Sequence, residues 1–157
     1  DRVGIWGHSG GGFASTRAVF AYPEFYDVAV SSAGNHDNRN YEADWGEKWQ
    51  GLLTEGNLEG KADDTTNYDN QANQLIAKDL KGKLLITHGA MDNNVPPSNT
   101  MLVVEALIRA NKDFDMILFP NKRHGYGDMT KYMTRKRWDY FVTHLLDAKP
   151  AKGFELK

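Results

Sequence analysis

The sequence contains no cysteine and no long hydrophobic run. Without cysteine the chain has no disulfide framework, no thiolate zinc site and no cysteine nucleophile. No apolar stretch approaches the roughly 20 residues that a membrane-spanning helix needs. The histidines show neither an H-E-x-x-H pattern nor another paired spacing typical of metal sites. We therefore expect no metal, no cofactor and no membrane segment in this chain.

An excess of charge of one sign is also absent. The 157 residues include 19 Lys and Arg against 21 Asp and Glu, which gives a net charge of −2. A dedicated nucleic-acid-binding domain would carry a basic surface, so we expect no nucleic-acid partner. Hydrophobic residues make up 40% and charged residues 25% of the chain, as in ordinary globular domains. The length fits a single domain over residues 1–157.

The beginning of the sequence is unusual because it has no Met and enters an apolar run almost at once, at Val3. We therefore expect a longer protein in which further residues precede Asp1. A targeting signal would lie in that preceding part.

Short apolar runs alternate with segments of helical periodicity along the chain. The pattern predicts strands at residues 3–6, 28–34, 83–89 and 115–120, helices at 13–20, 41–49, 72–79, 97–110 and 130–146, and a loop at 63–70. Alternating strands and helices predict an α/β fold with a parallel sheet and flanking helices.

A G-x-S-x-G pattern at Gly7, Ser9 and Gly11 separates the first predicted strand from the first helix. A serine in a sharp turn between strand and helix is typical of a nucleophile, and the flanking glycines let the backbone pass closely. The helix that follows directs its free N–H groups towards the serine. We therefore expect Ser9 to be a nucleophile and the Gly10 amide to be an oxyanion donor.

An acid and a base follow two later strands, at Asp92 and His124. The carboxyl ends of parallel strands meet at one edge of a sheet, so the three side chains should lie close together. The chain order Ser, Asp, His is that of α/β-hydrolases. Each residue also has a purely structural interpretation: a helix N-cap for Ser9, a turn residue for Asp92 and a solvated loop residue for His124.

The serine turn, the run H-G-A-M-D-N-N-V at residues 88–95 and the H-G pair at 124–125 together resemble the prolyl oligopeptidase family, in its dipeptidyl peptidase IV-like branch. The resemblance implies the C-terminal portion of an α/β-hydrolase domain. It also implies that a β-propeller and the first hydrolase strands precede it. Ser9, Asp92 and His124 fall on the family's catalytic triad.

The resemblance also implies residues of the substrate pocket. Asn94 falls on a position that binds a substrate carbonyl, and Tyr41, Trp45 and Val95 on walls of the pocket for the residue before the cut. Two positions depart from the dipeptidyl peptidase IV pattern: this chain has Gly10 where that pattern has a Tyr, and Asn38 where it has a Trp. These departures predict a wider and more polar pocket. Ordinary core packing is the alternative for the aromatic residues.

The resemblance implies a serine peptidase that hydrolyses oligopeptides through an acyl-enzyme and, in the dipeptidyl branch, releases dipeptides after proline or a small residue. It also suggests a periplasmic or secreted location. A homodimer is a further expectation. An esterase or acylaminoacyl-peptidase-like hydrolase with the same triad is the first alternative, and a non-catalytic binding or scaffold module is the second. Because the family's second oxyanion donor would precede Asp1, we expect the isolated chain to be nearly inactive and prone to self-association.

Overall fold

The computed structural model of the chain describes residues 2–54 and 66–156. Its four strands form one parallel sheet and are arranged side by side in sequence order, β1-β2-β3-β4. Their bounds are β1 Gly4–His8, β2 Val28–Ser32, β3 Lys83–Gly89 and β4 Asp115–Phe119. The predicted parallel sheet with flanking helices is thus confirmed. In this described part no helix has the length and apolar character required to cross a membrane.

Within residues 2–54 and 66–156, four α-helices accompany the strands. Their bounds are α1 Gly10–Ala21, α2 Ala43–Gln50, α3 Ser98–Arg109 and α4 Thr130–His144. The segment predicted as a helix at 72–79 is a 3₁₀ helix, Asn73–Asp79, a form common in short connections. The loop predicted at 63–70 lies outside the described residues up to residue 65, and a short 3₁₀ turn, Asp69–Gln71, ends it.

The helices cover both faces of the sheet. Alternate residues of a strand point to opposite faces, so Ala29 packs with α1 and α3, whereas Val28 and Val30 pack with α4. All five residues of β2 are buried, as expected for a strand with helices on both sides. The first face contains Val19, Phe20, Leu84, Val103 and Leu107, and the second contains Leu85, Phe119, Met133 and Tyr140.

The carboxyl ends of all four strands lie at the same edge of the sheet because every strand pair is parallel. Two backbone hydrogen bonds tie the loops after β3 and β4 to each other, from Ala90 N–H to the Phe119 carbonyl at 2.9 Å and from Met91 N–H to the Lys122 carbonyl at 3.0 Å. This edge therefore holds the loops that carry the predicted acid and base.

Candidate active site

Ser9 is the single residue between β1 and α1, and its backbone conformation is strained. Its backbone angles are φ 59° and ψ −123°, a region that residues with a side chain rarely adopt. Its N–H donates to the Ser32 carbonyl at 2.8 Å and its carbonyl accepts from the Phe13 N–H at 3.0 Å. These bonds, one to the end of β2 and one into α1, hold the sharp turn that the G-x-S-x-G pattern predicts.

Two glycines make this turn possible through close backbone approach. A Cβ atom at Gly7 would lie 2.1 Å from the Gly11 carbonyl oxygen, and one at Gly12 would lie 2.4 Å from the Ser32 carbonyl oxygen. Neither position has room for a side chain, so strand β1, helix α1 and the end of β2 pack directly against one another around Ser9.

Gly10 is the first residue of α1. The first N–H groups of a helix lack partners within that helix, and the helix dipole places partial positive charge at this end. The Gly10 amide is therefore suited to stabilise a negatively charged oxygen formed next to Ser9.

The Asp92 side chain is completely buried, with 0% of it exposed. Its Oδ1 atom accepts hydrogen bonds from the backbone N–H groups of Asn94 at 2.9 Å and Val95 at 3.0 Å. Its Oδ2 atom accepts from Nδ1 of His124 at 2.8 Å. The structure thus brings the predicted acid and base together, with the carboxylate fixed by its own turn.

His124 also lies beside the strand that leads to Ser9. Its ring centroid is 4.8 Å from that of His8, which directly precedes Ser9. Among the described residues, the Ser9 hydroxyl is hydrogen bonded neither to His124 nor to another group. The structure therefore places His124 next to the serine turn but joins it by a hydrogen bond only to Asp92.

Three of the predicted pocket residues lie together. The Tyr41 hydroxyl donates to Oδ1 of Asn94 at 2.6 Å, and the Tyr41 and Trp45 rings meet edge to face at 5.5 Å. A Cβ atom at Gly10 would lie 3.3 Å from Cζ2 of Trp45, so this indole borders the serine turn. Burial raises the pKa of the Tyr41 hydroxyl, which therefore stays protonated and able to donate.

Val95 is placed differently from these three residues. Its side chain is 0% exposed, and its carbonyl accepts a hydrogen bond from Nε2 of His88 at 3.0 Å. Val95 is therefore buried, whereas Asn94 is exposed and Tyr41 and Trp45 are half-buried. Its place in the pocket wall remains a prediction from the resemblance.

Asn38 lies close to Trp45, on the wall of the same cavity. A cavity of about 280 Å³ is lined by Phe13, Asn38, Trp45, Trp49, Gln50 and Gln71. The Asn38 side chain is held in place because it accepts from Nδ2 of Asn35 at 2.7 Å and donates to Oε1 of Gln50 at 2.7 Å. A Cβ at Gly10 would, however, lie 3.3 Å from Trp45, so the indole borders the space that the departure at Gly10 is expected to open.

Buried polar groups hold the segment that carries these aromatic residues. Asp37 is buried, and Arg39 binds its carboxylate through Nε at 2.9 Å and through Nη2 at 2.6 Å. The Arg39 guanidinium, together with Gln74, lowers the pKa of Asp37 against the opposing effect of burial. Asn99 on α3 accepts from the Asp37 N–H at 2.9 Å. The segment before Tyr41 is thereby attached to α3.

Two histidines near the predicted triad were not singled out by the sequence patterns. His8 packs on His124, and burial followed by the nearby His124 lowers the pKa of His8. His88 is buried and lies 3.2 Å from Oδ2 of Asp92. His8 lies within the G-x-S-x-G pattern and His88 begins the run at residues 88–95. Neither pattern assigns the histidine a partner, so only the fold reveals these contacts.

The sequence is similar to known peptidases. The sequence profile of the prolyl oligopeptidase family matches residues 1–148. The chain is 31% identical over 146 residues to dipeptidyl peptidase family member 1 of Caenorhabditis elegans, covering 92% of the chain and 16% of that protein. It is 28% identical over 128 residues to human dipeptidyl peptidase 8, covering 79% of the chain and 13% of that protein.

Solved structures give the same result. The crystal structure of Porphyromonas gingivalis dipeptidyl peptidase 4 aligns with a TM-score of 0.73 and 31% identity, over 92% of this chain and 19% of that chain. A putative dipeptidyl aminopeptidase IV from Bacteroides ovatus aligns with a TM-score of 0.76 and 26% identity, over 91% and 19%. The chain thus spans less than a fifth of the length of these relatives. It belongs to the prolyl oligopeptidase family of serine peptidases.

Proposed function

We propose that this chain carries the catalytic triad of a serine peptidase that hydrolyses oligopeptides, with Ser9 as nucleophile, His124 as general base and Asp92 as the acid that orients it. The observation that carries the proposal is the 2.8 Å hydrogen bond between Nδ1 of His124 and the buried Asp92 carboxylate. Membership of the prolyl oligopeptidase family and similarity to several dipeptidyl peptidases support the same assignment.

In this mechanism the Asp92 carboxylate keeps the proton of His124 on Nδ1, so that Nε2 is free to accept a proton. His124 removes the hydroxyl proton of Ser9 while Ser9 Oγ attacks the acyl carbon of the substrate. The serine–histidine hydrogen bond of such enzymes is often completed only in the complex with substrate. The imidazolium then protonates the leaving amine, and water hydrolyses the acyl-enzyme by the reverse sequence.

The Gly10 amide acts as one oxyanion donor in this proposal. Removal of a single oxyanion donor costs roughly 2.7–4 kcal/mol of transition-state stabilisation in a well-studied serine protease. A second donor from outside this chain would complete the site, so full turnover requires the whole protein.

Asn94 is proposed to bind a substrate carbonyl. Its Oδ1 atom already accepts from the Tyr41 hydroxyl, so its Nδ2 donors remain for an acceptor on the substrate. Tyr41 and Trp45 would border the pocket for the residue before the cut. Release of dipeptides after proline or a small residue is proposed from the relatives, several of which are named dipeptidyl peptidases.

Turnover of a substrate panel by the whole protein tests this function. The panel contains chromogenic dipeptide amides with proline, alanine or leucine before the cut, and a simple ester. We expect the wild type to hydrolyse the amides. In Ser9→Ala the rate of amide hydrolysis should fall to a residual rate roughly 10³–10⁴-fold above the uncatalysed rate. Ester turnover without amide turnover would instead favour an esterase, and full activity of Ser9→Ala would exclude Ser9 as nucleophile.

A further inference from the structure

His88 is a completely buried histidine at the end of β3, and it contacts the proposed catalytic acid. Its side chain and that of Thr100 on α3 are both 0% exposed. Nε2 of His88 lies 3.0 Å from the Val95 carbonyl oxygen and 3.2 Å from Oδ2 of Asp92. Nδ1 lies 2.7 Å from the Thr100 hydroxyl oxygen. Both ring nitrogens therefore have polar partners in an otherwise buried site.

These partners determine which nitrogen carries the proton. The Val95 carbonyl oxygen can only accept, so Nε2 of His88 must donate to it. In a neutral ring Nδ1 is then an acceptor, and the Thr100 hydroxyl donates to it. Burial, the largest influence, lowers the pKa of His88 and keeps the ring neutral. The ring thus directs the positive end of an N–H dipole towards the Val95 carbonyl and the adjacent Asp92 oxygen.

The same turn is held from its other side by Asp92 itself. Oδ1 of Asp92 accepts from the N–H groups of Asn94 and Val95, while Oδ2 faces His124 and His88. Without His88, the Val95 carbonyl would lack its buried donor, and Oδ2 would face His124 alone. An unsatisfied buried carbonyl favours a rearranged turn, which would rotate the Asp92 carboxylate.

We propose that His88 is a positioning residue for the triad: its Nε2–H holds the Asp92–Val95 turn so that Asp92 Oδ2 faces Nδ1 of His124, and the Thr100 hydroxyl donates to Nδ1 of His88 and holds the ring in this orientation. The inference deepens the proposed function and rests on it. The polar contacts of His88 among the described residues are with Asp92, Val95 and Thr100 and not with Ser9, so its effect on the reaction passes through the Asp92–Val95 turn. Misplacement of a catalytic group by about 1 Å can reduce a rate about 100-fold.

The test uses the whole protein and three variants. His88→Leu removes both polar atoms, Thr100→Val removes the hydroxyl at almost unchanged shape, and His88→Gln keeps a side-chain N–H donor. We measure kcat and KM with a dipeptide amide, and the rate at which a fluorophosphonate modifies the protein. Val103→Ala on α3, whose side chain is 0% exposed, is the control for general loss of core packing.

We expect His88→Leu and Thr100→Val to reduce kcat and the fluorophosphonate rate roughly 10- to 100-fold with little change in KM. His88→Gln should recover most of the loss. Val103→Ala should keep kcat at temperatures where it is folded. Thermal unfolding of each variant shows that the assays compare folded proteins, and Thr100→Val provides the test if His88→Leu does not fold.

Two results would overturn the inference in distinguishable ways. If the wild type reacts with the fluorophosphonate, and folded Thr100→Val and His88→Leu both keep the wild-type kcat and KM as Val103→Ala does, His88 has a purely structural role. If the wild type itself does not react, the proposed function fails, and the positioning role fails with it.

Discussion

Nδ1 of His124 lies 2.8 Å from Oδ2 of Asp92 although 32 residues separate them in the sequence. The bond joins the loop after β4 to the loop after β3, and backbone hydrogen bonds between the same loops support it. A carboxylate in this position keeps the imidazole in the tautomer that accepts a proton from serine and stabilises the cation that forms.

Asp92→Asn should therefore reduce kcat of the whole protein by roughly 10⁴-fold, since an amide can donate to His124 and favour the wrong tautomer. KM should change little, because the substrate does not contact Asp92 in the proposed mechanism. The measurement is steady-state turnover of a dipeptide amide. Asp113→Asn, an exposed carboxylate before β4, is the control, and a loss below tenfold in Asp92→Asn would contradict the assignment.

Replacement of Gly10 by tyrosine should alter the preference for the residue before the cut. A Cβ at Gly10 would lie 3.3 Å from Trp45, so the larger side chain must displace the indole from the serine turn. We expect selectivity between proline and leucine amides to change, measured as the ratio of their kcat/KM values. Gly11→Ala is the matched control, because a Cβ there has no neighbour within 4 Å. Equal selectivity in Gly10→Tyr and wild type would place the pocket elsewhere.

The stability of the chain should depend on pH through His36. The side chain is fully buried, and burial lowers the pKa of its imidazole to about 3. In the unfolded chain a histidine titrates near its ordinary value of about 6.5. Between these two values the unfolded state binds the proton and the folded state does not. The free energy of unfolding therefore falls as the pH decreases from about 6.5 to about 3.

Urea unfolding at a series of pH values measures this dependence. His36→Gln should show a smaller decrease in the free energy of unfolding between pH values of about 6.5 and 4.5 than the wild type. Identical slopes for His36→Gln and the wild type would mean that His36 does not remain neutral in the folded state.

Strand β1 leads to a prediction about the 157-residue chain studied alone. In the described part of the chain β1 pairs only with β2, and Trp6 in its centre is 55% exposed. An unpaired strand edge with exposed apolar groups tends to pair with another chain. Light scattering should give a mass above that of the monomer, and Trp6→Lys should lower it. A stable monomer at all concentrations would show that the free edge of β1 does not mediate self-association.

Much of this architecture could be predicted from the sequence because its signals are local. The glycines around Ser9 are required by backbone contacts within a few residues, and the buried strands appear as short apolar runs. Asp92 and His124 could be paired because parallel strands deliver their loops to one edge.

Other features depend on contacts between distant parts of the chain. The spacing of Tyr41 to Trp45 predicts that Tyr41 lies within a helix, but α2 begins only at Ala43. The Tyr41 hydroxyl instead donates a hydrogen bond to Asn94. The contact of His88 with Asp92 and Thr100 also depends on how α3 packs on β3, which no local pattern records.

The most direct test of the account is to identify the residue that reacts with a fluorophosphonate in the whole protein. Peptide mapping by mass spectrometry should locate the adduct on Ser9, with no adduct in Ser9→Ala and a strongly reduced rate in His124→Gln. A modified residue other than Ser9, or equal labelling of Ser9→Ala and the wild type, would contradict the triad.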